Sequence, residues 1–134
     1  MNTRLHIEVP GQGLHAISRE VEAQVRNSGC SDGLCTLFIR HTSASLLIQE
    51  NYDPSAKNDL ENWLARLVPE NDPLYTHTLE GPDDMPAHIR AALTASSLAV
   101  PIIDAALALG TWQGIYLWEH RRQASVREVL IHIA

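Results

Sequence analysis

The stretch LCTLFIRHTSASLLIQE, residues 34–50, joins two apolar runs through a short polar sequence. Leu34–Ile39 follows a glycine turn and is short and apolar, which is typical of an interior strand. Residues 45–49 predict a second strand, although the run Leu46–Ile48 alone is also compatible with a helix. Between the two runs, His41–Ala44 (HTSA) places an imidazole and two hydroxyls at the end of a rigid element, where they can hold a ligand.

Upstream of this stretch, the chain predicts one strand and one helix. Polar and apolar residues alternate over Thr3–Val9, which is the pattern of a half-buried strand. Proline and glycine at positions 10, 11 and 13 end that strand. Apolar residues then recur every four positions from Ile17 to Val25, so we expect an amphipathic helix that ends near Gly29.

Downstream, two helices and three further strands are predicted. Asp53-Pro54 is a helix-start signal, since an N-cap acceptor precedes a proline at the first helical position, and Pro69 ends this helix. Residues 70–85 lack periodicity and predict a loop of a length that is usually functional or disordered. A short helix is expected from Pro86 to Leu93. The remaining apolar runs predict strands at Leu98–Ile103, Gly114–Glu119 and Val126–Ile133.

The length and the order of these elements predict the fold class. The 134 residues are the size of one ordinary domain, and the chain contains no repeat, linker or low-complexity segment. We therefore expect residues 1–134 to form a single compact α+β domain. Its sheet should be mostly antiparallel and accompanied by two to three helices.

The composition excludes several classes of protein. With 45% hydrophobic and 19% charged residues, the chain is neither disordered nor fibrous. It has seven histidines, one lysine and a formal net charge of −6. An acidic chain without a basic run is a poor candidate for binding nucleic acid, which requires a patch that neutralises phosphates. A local cationic pocket for an anionic small molecule remains compatible with this charge.

The sequence also predicts where the protein resides. No apolar run approaches the length of a membrane span, and the first ten residues lack the apolar core of a signal peptide. Cys30 and Cys35 predict a loop thiol and a buried strand thiol, with a disulfide or half of a metal site as alternatives. Reduced thiols and the lack of a leader predict a cytoplasmic protein that does not bind membranes.

Three further stretches contain more polar residues than folding requires. They are Glu50–Pro54 at a helix start, residues 75–88 in the long loop, and residues 109–114 before a strand. Each has a structural alternative: a helix cap, solvated or structural side chains, and a glycine-flanked turn covered by a tryptophan. His77 and His88 lie eleven positions apart and lack the i, i+4 spacing of a helical zinc motif, so spacing alone supports a site weakly.

Together these stretches resemble the YjbQ family, whose members are catalogued as secondary thiamine-phosphate synthase enzymes. The resemblance covers nearly the whole chain. It implies a compact α+β fold assembled as a homotrimer. It also implies a reaction that joins a hydroxymethylpyrimidine diphosphate to a thiazole phosphate and releases pyrophosphate. The five motifs that carry it are HTSASL (41–46), ENYDP (50–54), YTH (75–77), EGPDDMPAHI (80–89) and GTWQG (110–114).

The resemblance transfers a set of polar positions to this chain. The positions are His41, Thr42, Ser43, Glu50, Asn51, Asp53, Asp59, His77, Glu80, Gly81, Asp84, His88, Gln113 and Glu119. We expect catalytic roles for His41, Ser43, Asp53, His77, His88 and Glu119. We expect ligand binding by Thr42, Asn51, Glu80, Asp84, Trp112 and Gln113, with the tryptophan stacking on a ring.

The chain departs from the family pattern after Glu119. Many relatives have an Asp-Gly turn and paired arginines there, whereas this chain continues His120-Arg121-Arg122. Whatever the paired arginines do elsewhere is done here by Arg121, Arg122 or Arg127, or is not done at all.

The sharpest hypothesis is that His41, His77 and His88 converge on a divalent metal, with Glu119 nearby. Three of the seven histidines fall within the recognised motifs, and a second subunit is an additional source of ligands. Zinc or another metal that prefers imidazole fits such a set better than magnesium, which takes oxygen ligands.

The expected ligand is a small phosphorylated or heterocyclic metabolite. The shortage of lysine favours a thiamine-phosphate synthase activity that is secondary to another role. Two alternatives therefore stay open: a metal-dependent hydrolase of an unknown phosphorylated metabolite, and a non-enzymatic trimer that binds a small molecule.

Overall fold

Eight strands and three helices follow one another along the chain in the computed structural model, which describes residues 1–134. The first half contains β1 Asn2–Val9, β2 Gly13–Ala16, α1 Ser18–Ser28, β3 Asp32–Ile39, β4 Ala44–Glu50 and α2 Pro54–Leu67. The second half contains α3 Asp84–Leu93, β5 Ser97–Ile103, β6 Ala106–Leu107, β7 Gln113–Glu119 and β8 Ser125–Ile133.

The strands form two antiparallel sheets that pack face to face. One sheet has five strands in the order β1-β8-β3-β5-β6, and the other has three in the order β2-β7-β4. The main core lies between the sheets and includes Leu37 of β3, Leu46 of β4 and Leu117 of β7, together with Val21 and Val25 of α1. The alternation of side chains along each strand places these residues on the inward face.

The helices α2 and α3 cover the other face of the three-stranded sheet. Leu64 of α2 and Val68 pack against Leu14, Tyr116 and Trp118 in a second, smaller core. Because β7 is covered on both faces, all its residues from Gly114 onward are buried. No helix covers the outer face of the five-stranded sheet, where Phe38 and Ile103 are about half exposed.

Local signals set the helix ends as predicted. Asp53 is the N-cap of α2 and accepts a hydrogen bond from the Ser55 N–H at 2.9 Å, with Pro54 in the first turn. Gly29 follows α1 in the left-handed conformation, with φ 69°, a conformation that glycine adopts without strain. The predicted α+β class, the antiparallel pairing and the number of helices are confirmed.

The structure corrects three details of the prediction. There are two sheets rather than one, and the short strands β2 and β6 were not expected. Strand β2 starts at Gly13, where φ is +130° and the Glu61 carboxylate lies where a Cβ would be, so pairing with β7 overrides the local turn signals. Helix α3 begins at Asp84 rather than at Pro86.

The predictions for the two cysteines and for membrane-spanning segments can also be compared with the structure. Cys30 is half-buried and Cys35 is buried, and both are free thiols, as expected. Burial raises the pKa of the Cys35 thiol to about 11. None of the helices is both long and apolar enough to cross a membrane.

The ladder between β4 and β7 separates two ends of the molecule. Ala44 pairs with Glu119 at one end, and Glu50 pairs with Gln113 at the other. At about 3.3 Å per residue, the six steps of β4 place these ends about 20 Å apart. The polar motifs of the sequence are divided between them.

Candidate functional site

Two histidines and one aspartate meet where the long loop runs into α3. Asp84 is the first residue of α3 and is buried, His77 belongs to the loop, and His88 follows Asp84 by one helical turn. The Asp84 Oδ2 lies 2.7 Å from the Nε2 of His77 and 3.1 Å from the Nε2 of His88. The three potential ligand atoms are all within 4.8 Å of one another, which is a spacing that one metal ion can bridge.

A hydrogen bond on the far side of the His88 ring fixes its orientation. Its Nδ1 is 2.9 Å from the carbonyl oxygen of Thr42, which has no proton to give, so Nδ1 is the donor. In the neutral ring, Nε2 then carries a lone pair that faces the acceptor oxygen of Asp84. Two acceptors at this distance require a cation between them, either a proton or a metal ion.

Arg121 holds the acidic residues of the cluster in place. Its Nη1 donates to Asp84 Oδ1 at 2.6 Å, its Nε donates to Asp83 Oδ2 at 3.0 Å, and its Nη2 donates to the Glu80 carbonyl at 2.9 Å. Burial raises the pKa of Asp84, but hydrogen bonds from His77 and the charges of His88 and Arg121 outweigh it and lower the pKa below its usual range. Asp84 is therefore an ionised carboxylate, as a metal ligand must be.

A buried ion pair lies beside the cluster. The Glu119 carboxylate is fully buried and accepts hydrogen bonds from Arg127 through Nε at 2.6 Å and Nη2 at 2.5 Å. Burial raises the pKa of Glu119, but the hydrogen bonds from Arg127 and from the Arg121 N–H lower it below its usual range. The Arg127 Nη2 also donates to the Ser43 hydroxyl at 2.9 Å, so this pair fixes the HTSA segment.

His41 lies outside the three-ligand cluster. Its Nε2 accepts the Glu128 N–H at 2.8 Å, and its Nδ1 is 3.3 Å from Nη1 of Arg127. Burial and the charge of Arg127 lower the pKa of His41, so the ring is neutral. Of the three histidines expected to converge, His77 and His88 lie together beside Asp84, whereas the His41 ring nitrogens face Glu128 and Arg127.

His41 nevertheless lines the cavities that adjoin the cluster. One, of about 490 Å³, is lined by His41, Thr42, His88, Ala91 and Ala92. The other, of about 480 Å³, is lined by residues that include His41, Thr42, Ser43, Arg40 and Arg127. The shared residues His41 and Thr42 connect the histidine cluster to a region with two guanidinium groups.

Four residues predicted for the site lie at the opposite end of the β4–β7 ladder. Asn51 and Asp53 follow Glu50, the last residue of β4. Trp112 precedes Gln113, the first residue of β7, and this end of the ladder is about 20 Å from Glu119. Asp53 caps α2, and the Gln113 side chain accepts the Gly110 N–H at 2.7 Å. Within one chain, these residues do not reach the histidine cluster.

Two further predicted positions, Glu80 and Gly81, lie in the loop between α2 and α3. The side chain of Glu80 is exposed, and only its carbonyl contacts Arg121. Gly81 has φ +103°, a conformation that few other residues adopt, and a Cβ there would meet Asp83. These contacts keep the loop that carries His77 against α3.

The three arginines left open by the sequence have different roles. Arg121 binds the two aspartates, Arg127 binds Glu119, and Arg122 pairs with Glu70 at 3.1 Å. Sequence reasoning did not assign Asp83, or Arg90, which is buried and donates to the Val68 carbonyl at 2.7 Å. The pairing of Asp83 with Arg121, 38 positions away, has no local sequence signal.

His120 is a buried neutral histidine next to this network. Its Nε2 forms a 2.8 Å hydrogen bond with the Ser45 hydroxyl, and its ring lies 5.6 Å from that of Trp118. Burial, with the charges of Arg90 and Arg127, lowers the pKa of His120 to about 3. It supports the network from the core side and is not exposed to a ligand.

Comparison with known proteins gives consistent matches. Residues 3–134 match the family model described as UPF0047 protein YjbQ-like. The chain is 52% identical to UPF0047 protein sll1880 of Synechocystis sp., over 97% of this chain and 88% of the relative. It is 38% identical to UPF0047 protein YjbQ of Escherichia coli O157:H7, over 94% and 91% of the two chains.

Solved structures share the fold. The conserved hypothetical protein TT1486 from Thermus thermophilus superposes with a TM-score of 0.88 and is 36% identical. The alignment covers 98% of this chain and 99% of that one.

Proposed function

The chain belongs to the UPF0047 (YjbQ-like) family, and we propose that it is a metal-dependent enzyme whose catalytic centre is the His77–Asp84–His88 cluster. The single observation that carries this proposal is the geometry of His88. Its Nδ1 donates to the Thr42 carbonyl, so in the neutral ring the lone pair of Nε2 faces the Asp84 carboxylate across 3.1 Å. A divalent cation satisfies both acceptors at once.

The donor set favours a transition metal over magnesium. Two imidazoles and one carboxylate suit zinc and its neighbours, whereas magnesium prefers an all-oxygen set. Three protein ligands leave coordination positions open, which is the arrangement of a catalytic rather than a structural site. His77 is 49% exposed at its side chain, so a substrate can reach those positions.

We propose that the substrate is a small phosphorylated metabolite. Arg40, Arg127, Thr42 and Ser43 all line the cavity that adjoins the cluster. Guanidinium and hydroxyl donors are the groups that bind phosphate oxygens in proteins. Glu119 holds the Arg127 guanidinium in one orientation, so its remaining N–H is fixed before the substrate arrives.

Thiamine-phosphate formation is the reaction that the family resemblance implies for this site. The ring nitrogen of the thiazole phosphate forms a bond to the methylene carbon of the hydroxymethylpyrimidine, the bond from that carbon to the diphosphate oxygen breaks, and pyrophosphate leaves. A bound divalent metal supplies a Lewis acid for the diphosphate oxygens. Arg40, Arg127 and the HTSA hydroxyls then bind the leaving group, while His88 and Asp84 keep fixed positions through Thr42 and Arg121.

Phosphate-ester hydrolysis is the second candidate. The observation that favours it is the exposed position beside His77, because a metal with an open, wet coordination position also activates water. The same guanidinium groups would bind the phosphate that is released.

The test is a product assay with purified protein. Hydroxymethylpyrimidine diphosphate and thiazole phosphate are incubated with the protein before and after chelation and after addition of zinc, and products are measured by mass spectrometry. We expect metal-dependent thiamine phosphate that is lost in His88→Ala and retained in His6→Ala, since His6 is exposed on β1. Product that resists chelation and survives in His88→Ala would contradict the proposal, and inorganic phosphate without thiamine phosphate would favour the hydrolase.

A further inference from the structure

A cavity of about 230 Å³ lies between α2, α3 and the three-stranded sheet. Helix α2 lines it with Glu61 and Ala65, α3 with Arg90, and β7 with Trp118. It shares no lining residue with the two cavities beside the histidine cluster. Arg90 follows His88 by two positions, and residues at that spacing do not face the same side of a helix. This cavity is therefore separate from the proposed metal centre.

Arg90 brings to this cavity a buried cation that has few hydrogen-bond partners. Only 5% of the residue is exposed, and its guanidinium donates one hydrogen bond, from Nη2 to the Val68 carbonyl at 2.7 Å. A guanidinium has five N–H donors and remains charged at neutral pH. The buried Nε of Arg90 has no acceptor within hydrogen-bonding distance. A buried charge is costly unless an opposite charge or enough hydrogen bonds replace its solvation.

No carboxylate of this chain forms an ion pair with Arg90. Burial lowers the pKa of Arg90, and the negative charges of Glu70 and Asp83 oppose that decrease. Both carboxylates are already paired with other side chains: Glu70 with Arg122 at 3.1 Å, and Asp83 with Arg121 at 3.0 Å. Arg90 therefore lacks a counter-ion of its own within the chain.

Glu61 provides a negative charge in the same cavity. Its Oε2 accepts the Leu14 N–H at 2.7 Å, and its carboxylate pairs with no cationic side chain. Gln12 also lines the cavity, and its Nε2 donates to the His120 carbonyl at 3.1 Å, which leaves the amide oxygen as an acceptor. The cavity thus has a cationic donor and anionic and neutral acceptors that do not satisfy one another.

We propose that this cavity binds a small zwitterion of the amino-acid type, a molecule with one carboxylate and one ammonium group. The carboxylate pairs with Arg90, because hydrogen bonds between guanidinium and carboxylate are charge-assisted and strong. The ammonium group pairs with Glu61 and the Gln12 amide oxygen. The ring of Trp118, which is 4% exposed, contacts the carbon chain of the ligand. This inference goes beyond the proposed function and does not depend on it.

The size and the charges of the cavity select this class of ligand. A water molecule takes about 30 Å³ of liquid, so the cavity has room for several non-hydrogen atoms. A dianion such as phosphate is disfavoured, because it shares the cavity with the Glu61 carboxylate and like charges repel. A simple cation is disfavoured by Arg90 for the same reason.

A titration with matched small molecules tests the site. β-Alanine, propionate and ethylamine have similar short carbon chains and differ in their charged ends, while glycine and γ-aminobutyrate vary the separation of the two charges. The protein is chelated first, so that amino acids do not bind through a metal ion. Binding is followed by nuclear magnetic resonance at the amides of Leu14 and Trp118, which lie at the cavity.

We expect saturable binding of at least one of the three zwitterions, with a Kd on the order of 1 mM for so small a ligand. Propionate and ethylamine should bind at least about 10-fold more weakly than that zwitterion, since each lacks one of the two charges. A cavity that holds only water would show no saturable shift with any zwitterion, and that result would overturn the proposal. Equal affinity for propionate would also overturn it.

Two variants locate the binding in this cavity. Glu61→Gln retains an acceptor for the Leu14 N–H and removes the negative charge, so it should reduce the affinity for the zwitterion to that for propionate. Ala65→Phe fills the cavity from an exposed position on α2 and should abolish binding without altering either charge. Arg66→Gln is the matched control, because Arg66 is exposed on α2 and does not line the cavity.

The variants also separate this site from the metal centre. Circular dichroism checks that each variant folds, and His88→Ala should bind the zwitterion as wild type does. Binding that persists in Ala65→Phe, or a loss in His88→Ala or Arg66→Gln that equals the loss in Glu61→Gln, would overturn the assignment to this cavity. A protein that binds the zwitterion but has no metal-dependent activity would refute the proposed function and leave this site standing.

Discussion

At the scale of single residues, the buried carboxylates account for most of the order around the site. One carboxylate oxygen of Asp84 lies against the ring nitrogens of His77 and His88, and the other accepts a hydrogen bond from Arg121. Glu119 accepts hydrogen bonds from the Arg127 guanidinium and from the Arg121 backbone N–H. Arg127 in turn donates to the Ser43 hydroxyl and so fixes its position. Each of these groups would be costly to bury alone, so each is bound by an opposite charge.

Glu119→Gln should therefore be strongly destabilising. The glutamine keeps the shape of the side chain but leaves the Arg127 guanidinium buried without its counter-charge, and we expect the free energy of unfolding to fall by about 3–5 kcal/mol. Urea denaturation measures this change. Arg4→Gln is the matched control, because the exposed pair of Arg4 with Glu128 at 3.7 Å should contribute less than about 1 kcal/mol. Equal losses in the two variants would contradict the role given to the buried pair.

His120 should make stability depend on pH in mildly acidic solution. Its pKa is about 3 in the folded protein and about 6.5 in the unfolded chain, so the unfolded chain binds the additional proton as the pH falls below about 6.5. The free energy of unfolding therefore decreases with acidification, by up to about 1.4 kcal/mol per pH unit.

His120→Gln isolates this contribution, since glutamine does not titrate and can still bond to the Ser45 hydroxyl. The charges of Arg90, Glu119 and Arg127 act near this side chain in both proteins, so the titration of the carboxylates largely cancels in the comparison. We expect the advantage of wild type over the variant to shrink as the pH falls from about 6 to 4. Parallel stability curves over that range would refute the assignment.

At the scale of elements, the ladder and the helix caps position the site. Strand β4 carries the HTSA segment at one end and the ENYDP motif at the other, and α3 brings Asp84 and His88 to the same side of one helical turn. Asp53 also acts at this scale, because its side chain caps the N-terminus of α2.

Asp53→Ala should weaken the fold without affecting metal binding. Loss of the N-cap should lower the free energy of unfolding by about 1 kcal/mol, whereas Asp53→Asn keeps an acceptor and should change it little. Thermal denaturation measures stability, and calorimetric titration with zinc measures binding. A loss of zinc affinity at unchanged stability would show that Asp53 acts at the metal centre instead.

The sequence predicts those elements whose own residues carry the signal. Periodicity locates the strand around Leu37 and the helix around Val21, because burial on one face leaves a regular pattern. Strand β2 was missed because its pairing with β7 is a tertiary contact that overrides Gly13. His77 and His88 fall in recognised motifs. The i, i+4 spacing of Asp84 and His88 was missed because the predicted helix began at Pro86, whereas α3 begins at Asp84. The approach of His77 depends on the path of the loop, which has no local sequence signal.

At the scale of the whole molecule, no other element of the chain packs on the outer face of the five-stranded sheet. The outer face of the five-stranded sheet exposes Leu34, Phe38 and Ile103 at 43%, 47% and 55%. Phe38 also lines the cavity that contains His41 and Arg127, so this apolar surface continues to the site. The homotrimer implied by the family resemblance would bury part of it.

Phe38→Glu should therefore weaken self-association. We expect wild type to sediment as a trimer at micromolar concentration and the variant to shift to smaller species, because a charge would be placed in an apolar contact. Leu79→Glu is the control, since Leu79 is 98% exposed in the loop and packs on nothing. A monomeric wild type, or equal behaviour of both variants, would contradict this expectation.

Calorimetric titration of the chelated protein with zinc tests the metal centre most directly. We expect one zinc per chain in wild type and in His6→Ala, with binding weakened at least about 100-fold in His88→Ala, because that variant loses a direct ligand. Zinc that binds His88→Ala as tightly as wild type, or a wild type that binds no zinc, would contradict the assignment of His77, Asp84 and His88 as the metal centre.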